Sequence, residues 1–267
     1  MNAKWIVGCI LAAGIVNGAD INLPLRARHE AFRGSGRWQA YQFTETIAPE
    51  RTAIVICDMW DKHWCRGATQ RVGLLVEKMN PVLEAARKSG VIIVHAPSDT
   101  MKFYAEAPQR KRMQQLPSVP LPAARNLTAP PLPIDDSRGG CDTPPDDFYQ
   151  AWTREHPGLR IADEDFVSDN GEEIYRLLKQ RKIEQVLIVG VHTNMCVLNR
   201  SFAIKQMTNW GIPCILVRDL TDAMYNPADE PHVTHAQGTE LVIEYIEKYW
   251  APTTSSTELL AALAAAR

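Results

Sequence analysis

The sequence predicts an α/β fold built on a parallel sheet that is covered by helices on both faces. Short, continuous, β-branched apolar runs recur along the chain, as expected of strands buried on both sides. Between them stand segments whose apolar residues fall at helical spacing, and strands alternating with helices imply βαβ units. The chain's 267 residues, 45% hydrophobic and 22% charged, have an ordinary globular composition and enough length for one large core. A net charge of −2 gives no basic footprint for nucleic acid. Six cysteines are too sparse for a disulfide scaffold.

Met1–Lys4 carries one positive charge, Trp5–Val16 is apolar, and Asn17, Gly18 and Ala19 follow before Asp20. That order is the pattern of a secretory leader, with a cut after Ala19 or Gly18. The apolar run is too short to span a bilayer, which needs about 20 residues. An exported bacterial protein, periplasmic or extracellular, is expected, with residues 20–267 forming one domain. A buried N-terminal element is the alternative.

Ala53–Cys57 is the first buried strand, ending at Asp58. Arg71–Ser89 places Val72, Leu75, Val76, Met79, Leu83 and Ala86 at helical spacing, and Gly90 ends it. Val91–Val94 is a second strand. Glu172–Gln180 reads as a helix, Gln185–Val189 as a strand, Cys196–Asn209 as a helix closed by Gly211, and Pro213–Val217 as a strand. Thr239–Lys248 looks helical and Tyr249–Thr254 extended. Ser255 and Glu258 then form a capping box that opens a terminal Ala/Leu helix. Between Pro97 and Pro157 lie 11 of the 18 prolines, so residues of about 97–158 read as an insertion serving as a lid or a subunit contact.

In such sheets a ligand sits beyond the carboxyl ends of the strands. The residues standing there are Asp58, His95, the acidic run Asp163, Glu164 and Asp165, the segment Gly190–Cys196, and Asp219. A cysteine opening a helix is favoured as thiolate, and a carboxylate on a neighbouring strand end can accept its proton. Taken singly, a cysteine is as well read as inert core and an aspartate as an N-cap.

The segment Val186–Val197, with Gly190, Val191, Thr193, Asn194 and Cys196 in order, resembles the nucleophile segment of the isochorismatase-like cysteine hydrolases, the family of nicotinamidase and N-carbamoylsarcosine amidohydrolase. Ile54–Asp58 resembles that family's first strand with its catalytic aspartate, and the likeness runs from about residue 51 to 258. The resemblance implies a three-layer α/β/α sandwich with a six-stranded, mainly parallel sheet. It implies that Asp58 takes the thiol proton of Cys196, that the thiolate attacks an amide carbonyl or related carbon, and that a thioester is then hydrolysed. It further implies a cis peptide at Val191–His192, with the N–H groups of His192 and Cys196 as the oxyanion hole.

The family's lysine is missing. Aligning on Ser168 and Gly171 puts Glu164 in its place. A protonated Glu164 would donate in its stead, or Lys62 or Lys102 would reach in from another loop; otherwise the acids are a solvated loop and catalysis is lost. Trp60, His63, Trp64 and His95 are candidate substrate contacts. Family members that bind metal use an Asp-x-His motif after the second strand; here Asp61 and His63, joined by His95, are the candidate ligands, with zinc the expected ion. The chemistry itself requires no cofactor. His232 and His235 read as capping or surface residues. Cys57 and Cys214 read as core, and Cys65 and Cys141 as loop residues able to pair in an exported chain. The expectation is an exported hydrolase of a small-molecule amide or related C–N bond. It has no nucleic-acid partner and no membrane span, and it forms a homo-oligomer. A non-covalent isochorismatase-type hydrolase and a non-catalytic binding protein are the rivals.

Overall fold

The computed structural model describes residues 19–143 and 147–266. The leader pattern, but for Ala19, lies outside them. The strands are β1 (Ile21–Glu30), β2 (Trp38–Ile47), β3 (Thr52–Cys57), β4 (Ile92–Ala96), β5 (Phe166–Val167), β6 (Gln185–Val191), β7 (Cys214–Asp222) and β8 (Thr253–Thr254). The helices are α1 (Arg66–Lys88), α2 (Pro108–Gln114), α3 (Gly171–Gln180), α4 (Cys196–Asn199), α5 (Ile204–Asn209), α6 (His235–Tyr249) and α7 (Ser256–Ala265).

One eight-stranded sheet runs in the order β2-β1-β8-β7-β6-β3-β4-β5. The six strands β3 to β8 are mutually parallel, as expected. The two additional strands form an antiparallel hairpin, β1 with β2. No sequence expectation covered this hairpin, although β1 alternates strictly, with Ile21, Leu23 and Leu25 buried and Asn22 and Pro24 exposed. Such alternation marks a strand with one covered face.

The central strands are apolar because both their faces are covered. Val55, Val186 and Ile188 face one core with residues of α3, α5 and α6. Ile54, Ile56 and Val189 face the other, with α1 and α7. The result is a three-layer α/β/α sandwich. Among the described residues no helix is long and apolar enough to cross a membrane.

The predicted helix Cys196–Asn209 is interrupted. Arg200 takes an extended conformation (ψ 154°), and the chain turns before α5 resumes at Ile204. The turn buries Phe202 completely and seats Ser201 against α3, where Gly171 N–H donates to Ser201 Oγ at 3.0 Å. A Cβ on Gly171 would lie 1.9 Å from the Ser201 carbonyl oxygen, so only glycine allows this approach. The strand predicted over Pro213–Val217 runs on to Asp222 through an irregular register. Asp219 therefore lies within β7 and accepts from Ser256 N–H at 2.7 Å, at the start of α7.

The order of strands reverses between β3 and β6. The chain moves outward one way through β4 and β5 and the other way through β7 and β8. The crevice at such a switch point is where α/β sheets bind ligands. Asp58 follows β3 and Cys196 follows β6, one on each side of it.

Candidate active site

Asp58 is fully buried and sits in the left-handed region at φ 47°, a conformation aspartate tolerates better than most residues. The strand pair that carries it is packed so closely that a Cβ on Gly190 would lie 2.0 Å from the Cys57 carbonyl oxygen. Asp58 Oδ1 accepts the Ser98 N–H at 2.8 Å, from the turn after β4. Its Oδ2 accepts Arg200 Nε at 2.8 Å. The Cys196 thiol stands beside the same carboxylate and interacts with it electrostatically.

The charges follow from this geometry. Burial, then the charge of Asp58, push the Cys196 thiol far up, while Arg200 and the His192 N–H on the sulfur pull the other way. Burial also raises the Asp58 carboxyl, against the pull of Arg200 and the Ser98 donors. The resting pair is thus a neutral thiol beside a carboxyl whose burial the Arg200 guanidinium partly offsets.

The peptide Val191–His192 is cis, and the loop behind it is fixed from three sides. Thr193 N–H donates to Asp222 O at 2.9 Å, Thr193 Oγ1 meets Thr221 Oγ1 at 2.7 Å, and Asn194 Nδ2 donates to Met224 O at 3.0 Å. Cys196 opens α4, so its own N–H has no intrahelical acceptor. Two backbone donors, from His192 and Cys196, therefore flank the sulfur.

No protein-family model matches the chain, and no curated protein matches it in sequence. Solved structures do. A cysteine hydrolase from Pseudomonas syringae pv. phaseolicola 1448A superposes with a TM-score of 0.53 at 17% identity, covering 83% of this chain and 96% of that one. The chain shares the fold of that cysteine hydrolase. An isochorismatase from Pseudomonas putida KT2440 gives a TM-score of 0.48 at 16% identity, over 79% of this chain and 91% of that one. An isochorismatase family protein from Burkholderia thailandensis gives 0.49 at 15%, over 82% and 97%.

Within this fold the third position differs from the sequence expectation. Glu164 is exposed on a turn before β5 and lines a surface groove with Arg87 and Arg160, away from Cys196. Lys62 and Lys102 are exposed as well. The cation comes instead from Arg200, four residues beyond the cysteine, whose backbone N–H closes the first helical turn on Cys196 O at 3.0 Å. One turn of helix therefore carries both Cys196 and the guanidinium that pairs with Asp58.

His95 is neither a substrate contact nor a free ligand. Its ring is fully buried, with Nδ1 2.7 Å from Glu155 and Nε2 3.0 Å from Asp165. Asp61 is also committed, accepting from Thr153 N–H at 2.9 Å and Thr153 Oγ1 at 2.7 Å. His63 Nδ1 accepts the Cys65 N–H at 3.1 Å. The expected ligands Asp61, His63 and His95 are thus not gathered and do not fit a metal. Among the described residues the one group of potential ligands that does converge is Cys65, Cys141 and Asp142, and its two sulfurs are joined in a disulfide.

Trp60, His63 and Trp152 form an aromatic wall. The two indoles stack at 4.2 Å, and the His63 ring lies 6.1 Å from Trp60 and meets His192 edge-on at 4.9 Å. Arg200 lies over Trp60 at 5.9 Å, which joins the wall to Asp58 and Cys196. Burial, with Arg71 nearby, pulls His63 down to about 4, so its imidazole is neutral. Trp64 turns outward to pack on Gly139 and on Phe148 at 5.9 Å, within the insertion. Two buried donors or acceptors beside this wall, Trp152 Nε1 and His192 Nε2, have no protein partner. Trp152 comes from the insertion and had no sequence signal beyond its aromatic character.

Proposed function

We propose that this protein is a cysteine hydrolase of the isochorismatase-like family that cleaves a small amide or related C–N bond. The observation that carries the reading is the Cys196 thiol beside the buried Asp58 carboxylate, with which Arg200 pairs at 2.8 Å. In the first step Asp58 accepts the thiol proton as Cys196 Sγ attacks the carbonyl carbon. The negative charge that develops on oxygen is met by the His192 and Cys196 N–H groups, each such donor being worth roughly 3 kcal/mol of barrier. Collapse expels the amine, which leaves with the proton held by Asp58, and a thioester remains on Cys196. Water then gives a proton to Asp58 and attacks the thioester, and the acid departs as Cys196 recovers its proton.

A small polar substrate is favoured by the unpartnered buried groups Trp152 Nε1 and His192 Nε2, since buried polar atoms are normally hydrogen-bonded. Export is supported by the leader pattern and by the Cys65–Cys141 disulfide, a bond that persists in oxidising compartments. The test is a panel of small amides with wild type and Cys196→Ala. Loss on the order of a thousandfold or more in turnover, and a thioester adduct on Cys196 in quenched wild type, are expected. Unchanged hydrolysis by Cys196→Ala would sink the assignment, and turnover without any adduct would favour the non-covalent route.

A further inference from the structure

β2 ends the sheet on its side and is ten residues long. β1 satisfies one of its edges over the full length, from Ile21 opposite Ile47 to Glu30 opposite Trp38, with no register shift. On the other edge every second residue turns its N–H and C=O outward. Long open edges are templates for pairing, and natural sheets blunt them with proline, lysine, bulges or short strands. β2 has none of these devices, and Glu45 is its one charged residue. Six of its ten residues are exposed. Tyr41, 42% exposed, stacks on Phe43 at 5.5 Å along the same strand.

We propose that β2 pairs edge to edge with β2 of a second copy of this chain, in an antiparallel two-fold dimer whose sheet is continuous across both subunits. In a two-fold interface residue i lies opposite j and j opposite i. Residues directly opposite share a face of the sheet, so i and j must differ by an even number. The register centred on Tyr41 meets that condition. It sets Arg37 of each copy against Glu45 of the other, and Gln39 against Phe43. Arg37 is exposed, and its carbonyl already extends the hairpin ladder by accepting Ala31 N–H at 2.8 Å. The segment leading into the strand is basic, with Arg33 and Arg37, and the strand itself is acidic toward its end at Glu45. Antiparallel self-pairing matches those ends, whereas a parallel copy would place Arg37 beside Arg37. The charge pattern thus selects a second copy as the occupant and fixes its direction.

The test is the oligomeric state of the full chain by sedimentation equilibrium at micromolar concentrations. Wild type is expected to be dimeric. Arg37→Glu, which puts like charges opposite one another at both ends, is expected to weaken association about tenfold or more. The double variant Arg37→Glu with Glu45→Arg restores opposite charges and is expected to restore the dimer. Arg37 is exposed and Glu45 half-buried, and circular dichroism checks that each variant is folded. A monomeric wild type, an oligomer indifferent to Arg37→Glu, or a double variant that stays dissociated overturns the proposal.

Discussion

At the scale of single residues, the site turns on how far Arg200 offsets the burial of the Asp58 carboxyl. Burial raises its carboxyl, and Arg200, at 2.8 Å, is the largest opposing influence. Replacing Arg200 by glutamine removes that cation, so Asp58 holds its proton to higher pH. The acid limb of kcat/KM is then expected to move upward by about one pH unit or more. Alkylation of Cys196 near pH 6 should slow about tenfold, since one unit is one decade of ionised base. Arg200→Lys should recover part of both effects. An alkylation profile identical to wild type would remove Arg200 from the mechanism. Glu164 faces solvent, so Glu164→Gln is expected to leave turnover within about twofold and stability within about 0.5 kcal/mol. Steady-state kinetics and thermal melting check both expectations. Asp58 and Cys196 were legible as residues standing where buried strands end. Arg200 was not, because attention to strand ends passes over the residue one helical turn beyond a nucleophile. The spacing of four from Cys196 was the available signal.

At the scale of elements, the parallel strands were readable because burial on both faces leaves continuous apolar runs. The hairpin was readable only from alternation and aromatic content, which α/β reasoning does not seek. The break after α4 could not be read from periodicity, since Phe202 and Ile204 are apolar at positions a continuous helix would also bury. The loops escape sequence patterns most, and here a buried ionic chain fastens them. Glu155 of the insertion meets His95 of β4, His95 meets Asp165 before β5, and Arg87 of α1 holds Asp165 through two bonds of 2.9 and 2.6 Å. Burial opposes charge on His95, but Glu155 and Asp165 outweigh it and raise the imidazole to about 9. An unfolded histidine titrates near 6.5, so the folded chain binds this proton more tightly. The resulting stability is complete below about pH 6.5 and is lost as pH rises through about 9, a contribution of at most ~3 kcal/mol. Urea unfolding from pH 6 to 10 should show that decline. In His95→Asn the slope should vanish, and overall stability should fall because Glu155 and Asp165 lose their buried partner. A wild-type curve flat across this range would show that the imidazole is neutral.

At the scale of the whole molecule, the long insertion is held to the sheet at points far apart in sequence. Arg110 pairs with Glu173 of α3, Asp136 accepts from Asn194 beside the nucleophile loop, and Tyr245 Oη donates to Pro130 O at 2.8 Å. The strongest of these ties is covalent. Cys65 and Cys141 close a loop with a sequence separation of 76. Cross-linking a loop of that length removes unfolded-state entropy worth about 4 kcal/mol. The bond also belongs to a small apolar cluster with Ala68 and Met224, against which Trp64 and Met195 pack. Met195 immediately precedes Cys196, so the disulfide supports the loop that carries Cys196. Around it, Arg71 bridges Asp142 at 2.7 Å and Asp222 at 2.8 Å, and His235 reaches Asp222 at 2.9 Å. These pairs tie the insertion, α1, the end of β7 and α6 together without the sulfur bond. The Cys65→Ser, Cys141→Ser double variant is therefore expected to fold while melting roughly 10 °C lower, taking 2–4 °C per kcal/mol for a chain of this size. Reduction of wild type should give a similar loss. Alkylation of Cys196 should become faster in the variant than in wild type, because the support behind Met195 loosens. A melting temperature unchanged by the double substitution would mean that the polar ties alone hold the insertion, and that the disulfide adds nothing to the fold.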